Sequence, residues 1–348
     1  MWRTDEALRH WGEVDGPVEP EPDGGLINRT WRVGGADGTV RRILQWVSPI
    51  FDPRIHLDVD ALTRHLERAG LTTPRLLPTA GGRLWIEDPE SGFWRLQTWV
   101  PGRTVHRLAG LVPAASAGDL VGRFHAVLAD WSYVFQARSR FIHDTPSRMA
   151  ELRLALDEVS EHPLAGEAAA VGEELLRDWR RWLDERGEDE LDHRLPQRPC
   201  HGDLKASNLR FSADRAVALL DLDTVGRMSL ASEMGDAWRS WCNPAGEDDP
   251  DRCVFDQAIF AASAGAWIAR APILERTERR ALVPAIERIC LELGARFCAD
   301  ALRNSYFRED RRRYPEPGRH NLVRARCQLR LAASARACRD TCEAVIAR

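Results

Sequence analysis

The spacing of apolar residues changes character once along this chain, and that change limits the architectures open to it. Up to Pro101-Gly102 the sequence reads as strands joined by turns. Leu26 to Val33 and Thr39 to Val47 flank Gly34-Gly35-Ala36-Asp37-Gly38, which is hairpin turn chemistry. Arg83-Leu84-Trp85-Ile86 and Phe93 to Val100 flank Pro89-Glu90-Ser91-Gly92 in a second hairpin, and Asp58 to Ala69 between the hairpins has helical spacing. From Leu111 onward helical spacing dominates: Ala114 to Trp131, Ser147 to Glu161, Ala165 to Arg186, Arg252 to Arg270, Thr277 to Arg303 and Asn321 to Ile346. Many of these place apolar residues three and four apart with arginine or glutamate opposite, as a packed bundle requires. At 348 residues the chain exceeds the usual single core. The expectation is an α+β protein with a β-rich lobe over residues 1–102 and a mainly helical lobe over residues 103–348.

Bulk properties narrow the partners. Hydrophobic residues at 44% and charged residues at 29% are those of a folded globular protein. A net charge of −4 gives no drive towards nucleic acid or anionic membrane, so neither is expected as a partner. The start Met1-Trp2-Arg3-Thr4-Asp5-Glu6 has no apolar core, and no stretch stays uncharged for the roughly 18 residues a bilayer span needs, so a cytoplasmic protein is expected. All 8 cysteines fall from Cys200 onward without a C-x-x-C pair and read as reduced, mostly buried thiols.

The chemistry concentrates in one segment. His201-Gly202-Asp203-Leu204-Lys205-Ala206-Ser207-Asn208 is a polar loop, followed by Leu209-Arg210-Phe211, a polar turn, and Val217 to Leu222 ending on Asp221-Leu222-Asp223. Phosphoryl transfer needs a carboxylate aimed at an alcohol, a cation on the migrating phosphate, and oxygen ligands for Mg2+. Asp203 is the candidate base, Lys205 the phosphate cation, and Asn208 and Asp221 the candidate metal ligands. Lys205 is the only lysine in a chain that otherwise uses arginine, and a compact ammonium differs from a planar fork beside a moving phosphate. The bland alternative is a polar surface hairpin with incidental acids. His201 is read as a structural hydrogen-bonding residue without a chemical step.

At these residues the sequence resembles the aminoglycoside phosphotransferase and choline kinase superfamily. That resemblance implies a bilobal protein-kinase-like fold and dependence on ATP and Mg2+. Within the superfamily it is similar to the N-acetylhexosamine 1-kinase family, through Leu26-Ile27-Asn28-x-Thr30, Ile43-Leu44-Gln45, Phe141-Ile142-His143-Asp144-Thr145-Pro146, Gly235-Asp236-x-x-Arg239, Tyr306-Phe307 and the run from His320 to Leu329. The narrower likeness implies phosphorylation of the anomeric hydroxyl of N-acetylglucosamine or N-acetylgalactosamine. It makes Asp203 also an acceptor contact, Asp223 a second metal carboxylate, and Arg239, Arg303, Tyr306 and Arg326 sugar-pocket residues, while Asp236 resembles the wider superfamily's buried aspartate that braces the catalytic loop. Nucleotide contacts would come from Asn28 and Thr30 in the loop that begins at Gly24-Gly25, and from a hinge containing Gln97 and Trp99. With Lys205 the sole lysine, the usual strand lysine is missing, and its role falls to Arg42 or Gln45 or to nothing.

Three other readings stand beside this one. A kinase of an amino alcohol or aminoglycoside would want an acid-rich pocket, whereas Arg303 to Arg330 is crowded with arginine. A catalytically degenerate nucleotide- or sugar-binding module is suggested by the missing lysine and opposed by Asp203, Asn208 and Asp221. A glycosidase pair of Asp221 and Asp223 is the weakest: two acids at alternate strand positions are read as pointing to opposite faces, an expectation about strand geometry that is corrected below.

Overall fold

The computed structural model describes residues 3–12, 16–21, 27–35, 37, 39–137, 143–158 and 161–347. Gly24, Gly25 and Leu26, the turn residues Ala36 and Gly38, and Phe141 and Ile142 lie outside the described residues. Six strands form an antiparallel N-terminal sheet: β1 (Val18–Pro20), β2 (Arg29–Gly34), β3 (Val40–Val47), β4 (Leu76–Leu77), β5 (Ile86–Glu87) and β6 (Phe93–Thr98), in the order β1-β2-β3-β6-β4 with β5 also on β6. The register sets Trp31 opposite Leu44 and Leu44 opposite Leu96, while Thr30 faces Gln45 and Gln45 faces Arg95.

Side chains alternate along a strand, so this register sorts the sheet into two faces. One carries Val33, Leu44, Trp94 and Leu96 and packs on Ala7 and Leu8 of the short helix α1 (Thr4–Leu8). The other carries Thr30, Gln45, Arg95 and Gln97 and looks towards the rest of the chain. Between the hairpins runs α2 (Ile55–Arg68), whose Ile55, Val59, Leu62 and Leu66 form one apolar stripe. That stripe joins the large core of the helical part, so α2 ties the sheet to the bundle.

The rest of the chain is mainly helical: α3 (Leu111–Leu128), α4 (Thr145–Glu158), α5 (Ala165–Arg186), α6 (Leu230–Trp241), α7 (Gln257–Ile268), α8 (Arg276–Arg303), α9 (Arg319–Ala337) and α10 (Arg339–Ile346). Helix α8 is the spine, packing against α4, α5, α6 and α9. The single helix expected from Asn321 to Ile346 is two, broken at Cys338, so that Cys342 and Ile346 of α10 turn into the core. Two small sheets complete the fold. Strand β7 (Arg103–Thr104) pairs with the hairpin β9 (Leu209–Ser212) and β10 (Arg215–Leu219), and β8 (Arg198–Cys200) pairs with β11 (Gly226–Met228).

Helix α6 was not anticipated. Its charged residues Glu233, Asp236 and Arg239 recur every three positions, yet all are buried, so no solvent-facing stripe marks it as amphipathic. Ser229 caps it, its hydroxyl accepting from Ser232 N at 3.1 Å. The expectation of uniformly reduced cysteines is corrected at one pair: Cys253 and Cys327 form a disulfide that joins the segment after α6 to α9, with Cα atoms 5.9 Å apart. Spacing in sequence carried no hint of it, because the two are 74 residues apart. The other six are free, five of them buried. Among the described residues no helix is long and apolar enough to cross a membrane.

The crossing of α6 on α8 is close at Gly235, where an added Cβ would lie 2.9 Å from Ala285 O and 3.1 Å from its Cβ. Gly235→Val is therefore expected to destabilise the protein by about 1–3 kcal/mol through overpacking, read as a lower urea midpoint with an unchanged slope.

Candidate active site

The loop after β8 is held in shape by its own backbone. Gly202 adopts φ +87°, a region that favours glycine, and lets the chain reverse. His201 then spans the loop: Nδ1 accepts from Asp203 N at 3.3 Å, and Nε2 donates to Leu220 O at 2.8 Å at the end of β10. Thr224 Oγ1 donates to His201 O at 2.8 Å. The imidazole thus links the loop to the strand end that carries the acids.

Helix α6 braces the same loop from below. The buried Glu233 carboxylate accepts from His201 N at 2.7 Å and Gly202 N at 2.8 Å, and His125 Nε2 lies 3.3 Å away. Burial alone would raise the Glu233 pKa, but His125, His201 and the backbone donors more than offset it and hold the group ionised. Two turns later Ser240 Oγ accepts from Ala206 N at 3.0 Å, and Trp241 Nε1 donates to Leu204 O at 2.7 Å. The brace is therefore Glu233 and not Asp236, which corrects the role implied for Asp236. Three residues on, Asp236 has rotated past the loop and lines the cleft beside it.

Asp203, Lys205 and Asn208 converge on one point. Lys205 Nζ is paired with Asp203 Oδ2, and Asn208 Nδ2 donates to Asp203 O at 2.9 Å and to Asp203 Oδ2 at 3.0 Å. With its amide hydrogens given to Asp203, Asn208 keeps its Oδ1 oxygen for another partner. Burial pushes the Asp203 pKa up, yet the Lys205 charge outweighs it and holds the carboxylate below its usual range. Lys205 responds in kind: burial works against its charge, while Asp203 and Asp221 hold the ammonium protonated.

The strand end delivers two acids to different places. Asp221 sits at φ 59° and ψ 61°, a left-handed conformation, and Leu222–Thr224 form a single 3-10 turn. Residues two apart on a regular strand would share a face, so the left-handed kink and the turn are what separate Asp221 from Asp223. Asp223 is buried: Arg95 Nη1 reaches its Oδ1 at 2.5 Å, while Arg95 Nη2 at 3.0 Å and Asn28 Nδ2 at 2.6 Å reach its Oδ2. Both of its oxygens are taken, which corrects the expectation of an open metal carboxylate. Asp221 makes no hydrogen bond among the described residues. Burial, then Asp223 and Asp203, push it up to about 6. A carboxylate so placed gains from a cation, and the Asn208 Oδ1 oxygen is a suitable co-ligand; these two residues fit a bound Mg2+.

These groups open into one cleft of about 1540 Å3. Single ligand sites typically measure about 300–1,000 Å3, so there is room for a nucleotide and an acceptor together. On the sheet side the cleft is lined by Asn28, Thr30, Ile43, Gln45, Gln97 and Trp99. Gln45 accepts from Arg95 Nε at 2.9 Å and Nη2 at 2.7 Å and from Gln97 Nε2 at 3.2 Å, and it donates to Thr30 Oγ1 at 3.1 Å. Arg42 is a correction: it pairs with Val33 on the opposite face of the sheet and is absent from the cleft wall. Asn28 lines the cleft, but its amide is committed to Asp223 and to Ser48 N at 3.0 Å. Just after β6, where the hinge is expected, Trp99 N donates to Arg41 O at 3.1 Å, and Val100 O accepts from Arg210 Nε at 3.0 Å.

On the helical side the wall includes Arg239, Arg303 and Tyr306, together with His143, Arg296 and Arg324. Arg239 is buried between Asp236 Oδ1 at 2.9 Å and Glu247 Oε1 at 2.8 Å. Arg303 reaches Glu158 at 2.8 Å. Arg326 is the second correction among the expected contacts: it pairs with Glu167 of α5 at 2.6 Å, outside the cleft wall. On α9 the cleft-facing arginine is Arg324, two positions earlier and so on another side of the helix.

A model of the phosphotransferase enzyme family (APH) matches residues 20–273. The chain belongs to that family. Solved structures share the fold of this phosphotransferase at low identity. An aminoglycoside phosphotransferase from Alicyclobacillus acidocaldarius superposes with a TM-score of 0.64 at 16% identity, covering 98% of this chain and 97% of that one. Amicoumacin kinase hAmiN, solved with AMP-PNP, Ca2+ and Ami, gives 0.64 at 12% identity over 94% and 93%. A microcompartment-associated aminopropanol kinase gives 0.61 at 18% identity over 97% of each chain. The phosphotransferase therefore has the α+β protein-kinase-like architecture implied by the sequence motifs.

Two residues of the phosphotransferase that matter most to its site were missed in the sequence. Glu233 sits in a helix without an amphipathic signature. Arg95 is one arginine among many, and only the alternation that puts Gln45 and Gln97 on the cleft face would have placed it there. Arg95 and Asp223 are each almost wholly buried, with side chains 3% and 1% exposed. Removing one partner strands the other charge. Asp223→Asn is expected to cost about 3–5 kcal/mol, against about 0.5 kcal/mol or less for Arg42→Gln on the far face, both measured by chemical denaturation.

Proposed function

We propose that this phosphotransferase is an ATP- and Mg2+-dependent kinase of a neutral sugar, phosphorylating the anomeric hydroxyl of an N-acetylhexosamine such as N-acetylglucosamine or N-acetylgalactosamine. In this reading Asp203 orients and deprotonates the acceptor hydroxyl, Lys205 neutralises the migrating phosphoryl group, and Asn208 and Asp221 hold the metal against the triphosphate. Thr30, Gln45, Gln97 and Trp99 line the nucleotide's half of the cleft, with Asn28 and Asp223 fixing its floor. Arg239, Arg303 and Tyr306 line the acceptor's half.

One observation carries the choice of a neutral acceptor: the acids on the acceptor side already have partners. Glu292 faces His143 Nδ1 at 3.0 Å and Thr145 Oγ1 at 2.6 Å. Asp300 accepts from the backbone N of Ser305 at 2.8 Å, Tyr306 at 2.9 Å and Phe307 at 2.8 Å. Asp248 pairs with Arg313 at 2.6 Å, while Asp236 and Glu247 share Arg239. A polycationic acceptor would have to displace these contacts, whereas a polyol can hydrogen-bond to the same groups as they stand. An amino alcohol or aminoglycoside acceptor is the second reading, favoured by the aminopropanol kinase and aminoglycoside phosphotransferase among the structures of like fold. A degenerate binding module is disfavoured by the joint presence of Asp203, Lys205, Asn208 and Asp221 in one cleft.

Mg2+-dependent ADP release, screened over N-acetylhexosamines, hexoses, amino alcohols and an aminoglycoside, is expected with N-acetylglucosamine or N-acetylgalactosamine. Release only with an amine would replace the sugar reading with the second. Asp203→Asn is expected to lower kcat at least about 100-fold, with ATP still bound; undiminished turnover would remove Asp203 from the mechanism.

A further inference from the structure

Two segments outside the catalytic loop bring buried polar atoms without a protein partner to the acceptor side of the cleft. The first is on α6. Asp236 Oδ1 accepts from Arg239 Nε at 3.1 Å and Nη2 at 2.9 Å, but its Oδ2 is buried and makes no hydrogen bond among the described residues. The second is just before α4. His143 Nδ1 faces Glu292 Oε1 at 3.0 Å, and its Nε2 is likewise buried and unpartnered. The two side chains are only 9% and 7% exposed, and both line the same cleft as Asp203. Buried polar atoms are nearly always hydrogen-bonded, and those left open at the wall of a cavity are available to what enters it.

Their chemistry is complementary. Asp236 is ion-paired through one oxygen and offers the other as an acceptor. Burial disfavours charge on His143, yet Glu292 and then Asp236 raise its pKa and favour the imidazolium, in which Nε2 carries a hydrogen and donates. Asp236 also acts on Lys205: burial lowers the lysine's pKa, while Asp203, Asp221 and, more weakly, Asp236 raise it. Asp236 is thus within electrostatic reach of both the catalytic pair and His143. A group that meets both atoms must donate to one and accept from the other. A hydroxyl or an amide does this; an ammonium has only donors and would place its charge against the imidazolium.

We propose that Asp236 and His143 form an acceptor-reading pair, in which Asp236 Oδ2 accepts from, and His143 Nε2 donates to, a neutral hydroxyl or amide substituent next to the hydroxyl that receives the phosphate. This deepens the sugar-kinase reading and rests on it for the identity of the acceptor. In an N-acetylhexosamine the substituent is the 2-acetamido group, whose N–H and C=O supply one partner for each residue. Both are positioning residues: neither exchanges a proton with the reacting oxygen.

The test compares wild-type protein with Asp236→Asn and His143→Gln, with ATP and N-acetylglucosamine, glucosamine, 2-deoxyglucose or ethanolamine as acceptor. Wild-type protein is expected to favour N-acetylglucosamine over glucosamine and 2-deoxyglucose. Each variant should raise the KM for N-acetylglucosamine about 10- to 100-fold, leave the KM for ATP unchanged, and lose much of the preference over 2-deoxyglucose. An unchanged acceptor KM in both variants overturns the pair even when the wild-type protein phosphorylates the sugar. A parallel rise in the KM for both substrates also overturns it, since that marks general damage to the site. If ethanolamine is turned over and no sugar is, the sugar reading and the preference for a neutral substituent both fall, and the same two KM values for ethanolamine decide whether the residues touch the acceptor. Should Asp236→Asn fail to fold because Arg239 loses its partner, His143→Gln gives the decision alone.

Discussion

The catalytic loop depends on one buried carboxylate. Glu233 lies in an apolar setting where an ionised group is costly unless its lone pairs are filled, and it is filled by the backbone N–H groups of His201 and Gly202 and by His125. The benefit runs both ways. The donors keep Glu233 charged, and Glu233 fixes the Cys200–His201 and His201–Gly202 peptide planes that lead into Asp203. With Ser240 and Trp241 holding Ala206 and Leu204, helix α6 makes the loop part of the packed core. Such bracing fits the role proposed for Asp203, because small misplacement of reacting groups costs rate steeply.

A second buried charge connects the two halves of the cleft. Arg95 comes from the middle of the sheet and Asp223 from the turn after β10, and they meet with both charges withdrawn from water. Such a pair adds little net stability, but breaking it is expensive, so it acts as a positional constraint. It fixes Gln45 and Asn28 on the sheet side while setting the turn that aims Asp221. The sheet has no lysine to offer, and Arg95 is its buried, fixed cation on the cleft face. That charge sits one strand away from Arg42 and on the other face.

The helical wall of the cleft is built differently: Arg239 is shared by Asp236 and Glu247, Glu292 is met by His143 and Thr145, and Asp300 is met by backbone N–H groups. Paired in this way, they present hydrogen-bonding edges more than net charge. On this wall Asp236 Oδ2 and His143 Nε2 are left buried without a hydrogen-bond partner among the described residues, which is what the proposed acceptor-reading pair rests on.

Much of this was legible in the sequence. Period-two runs and turn residues identified the two hairpins of the sheet, period-three and period-four runs identified most of the bundle, and the spacing of Asp203, Lys205, Asn208 and Asp221 marked the site, because local patterns record local structure. What escaped was whatever depends on residues distant in the chain. Helix α6 was missed because its polar residues face a buried loop and a cavity in place of solvent. Arg95 and Asp223 are 128 residues apart, and the Cys253–Cys327 bond spans 74. The sequence by itself determined the fold class, the phosphoryl-transfer motif and the sheet residues competent to face a nucleotide. Only the tertiary structure decided which side chains line the cleft, Gln45 and not Arg42 on the sheet and Arg324 and not Arg326 on α9, and set Glu233 under the loop and Asp223 against Arg95. A side chain's role follows from the face it takes and the charges it meets there, and those are set by packing between elements far apart in the chain.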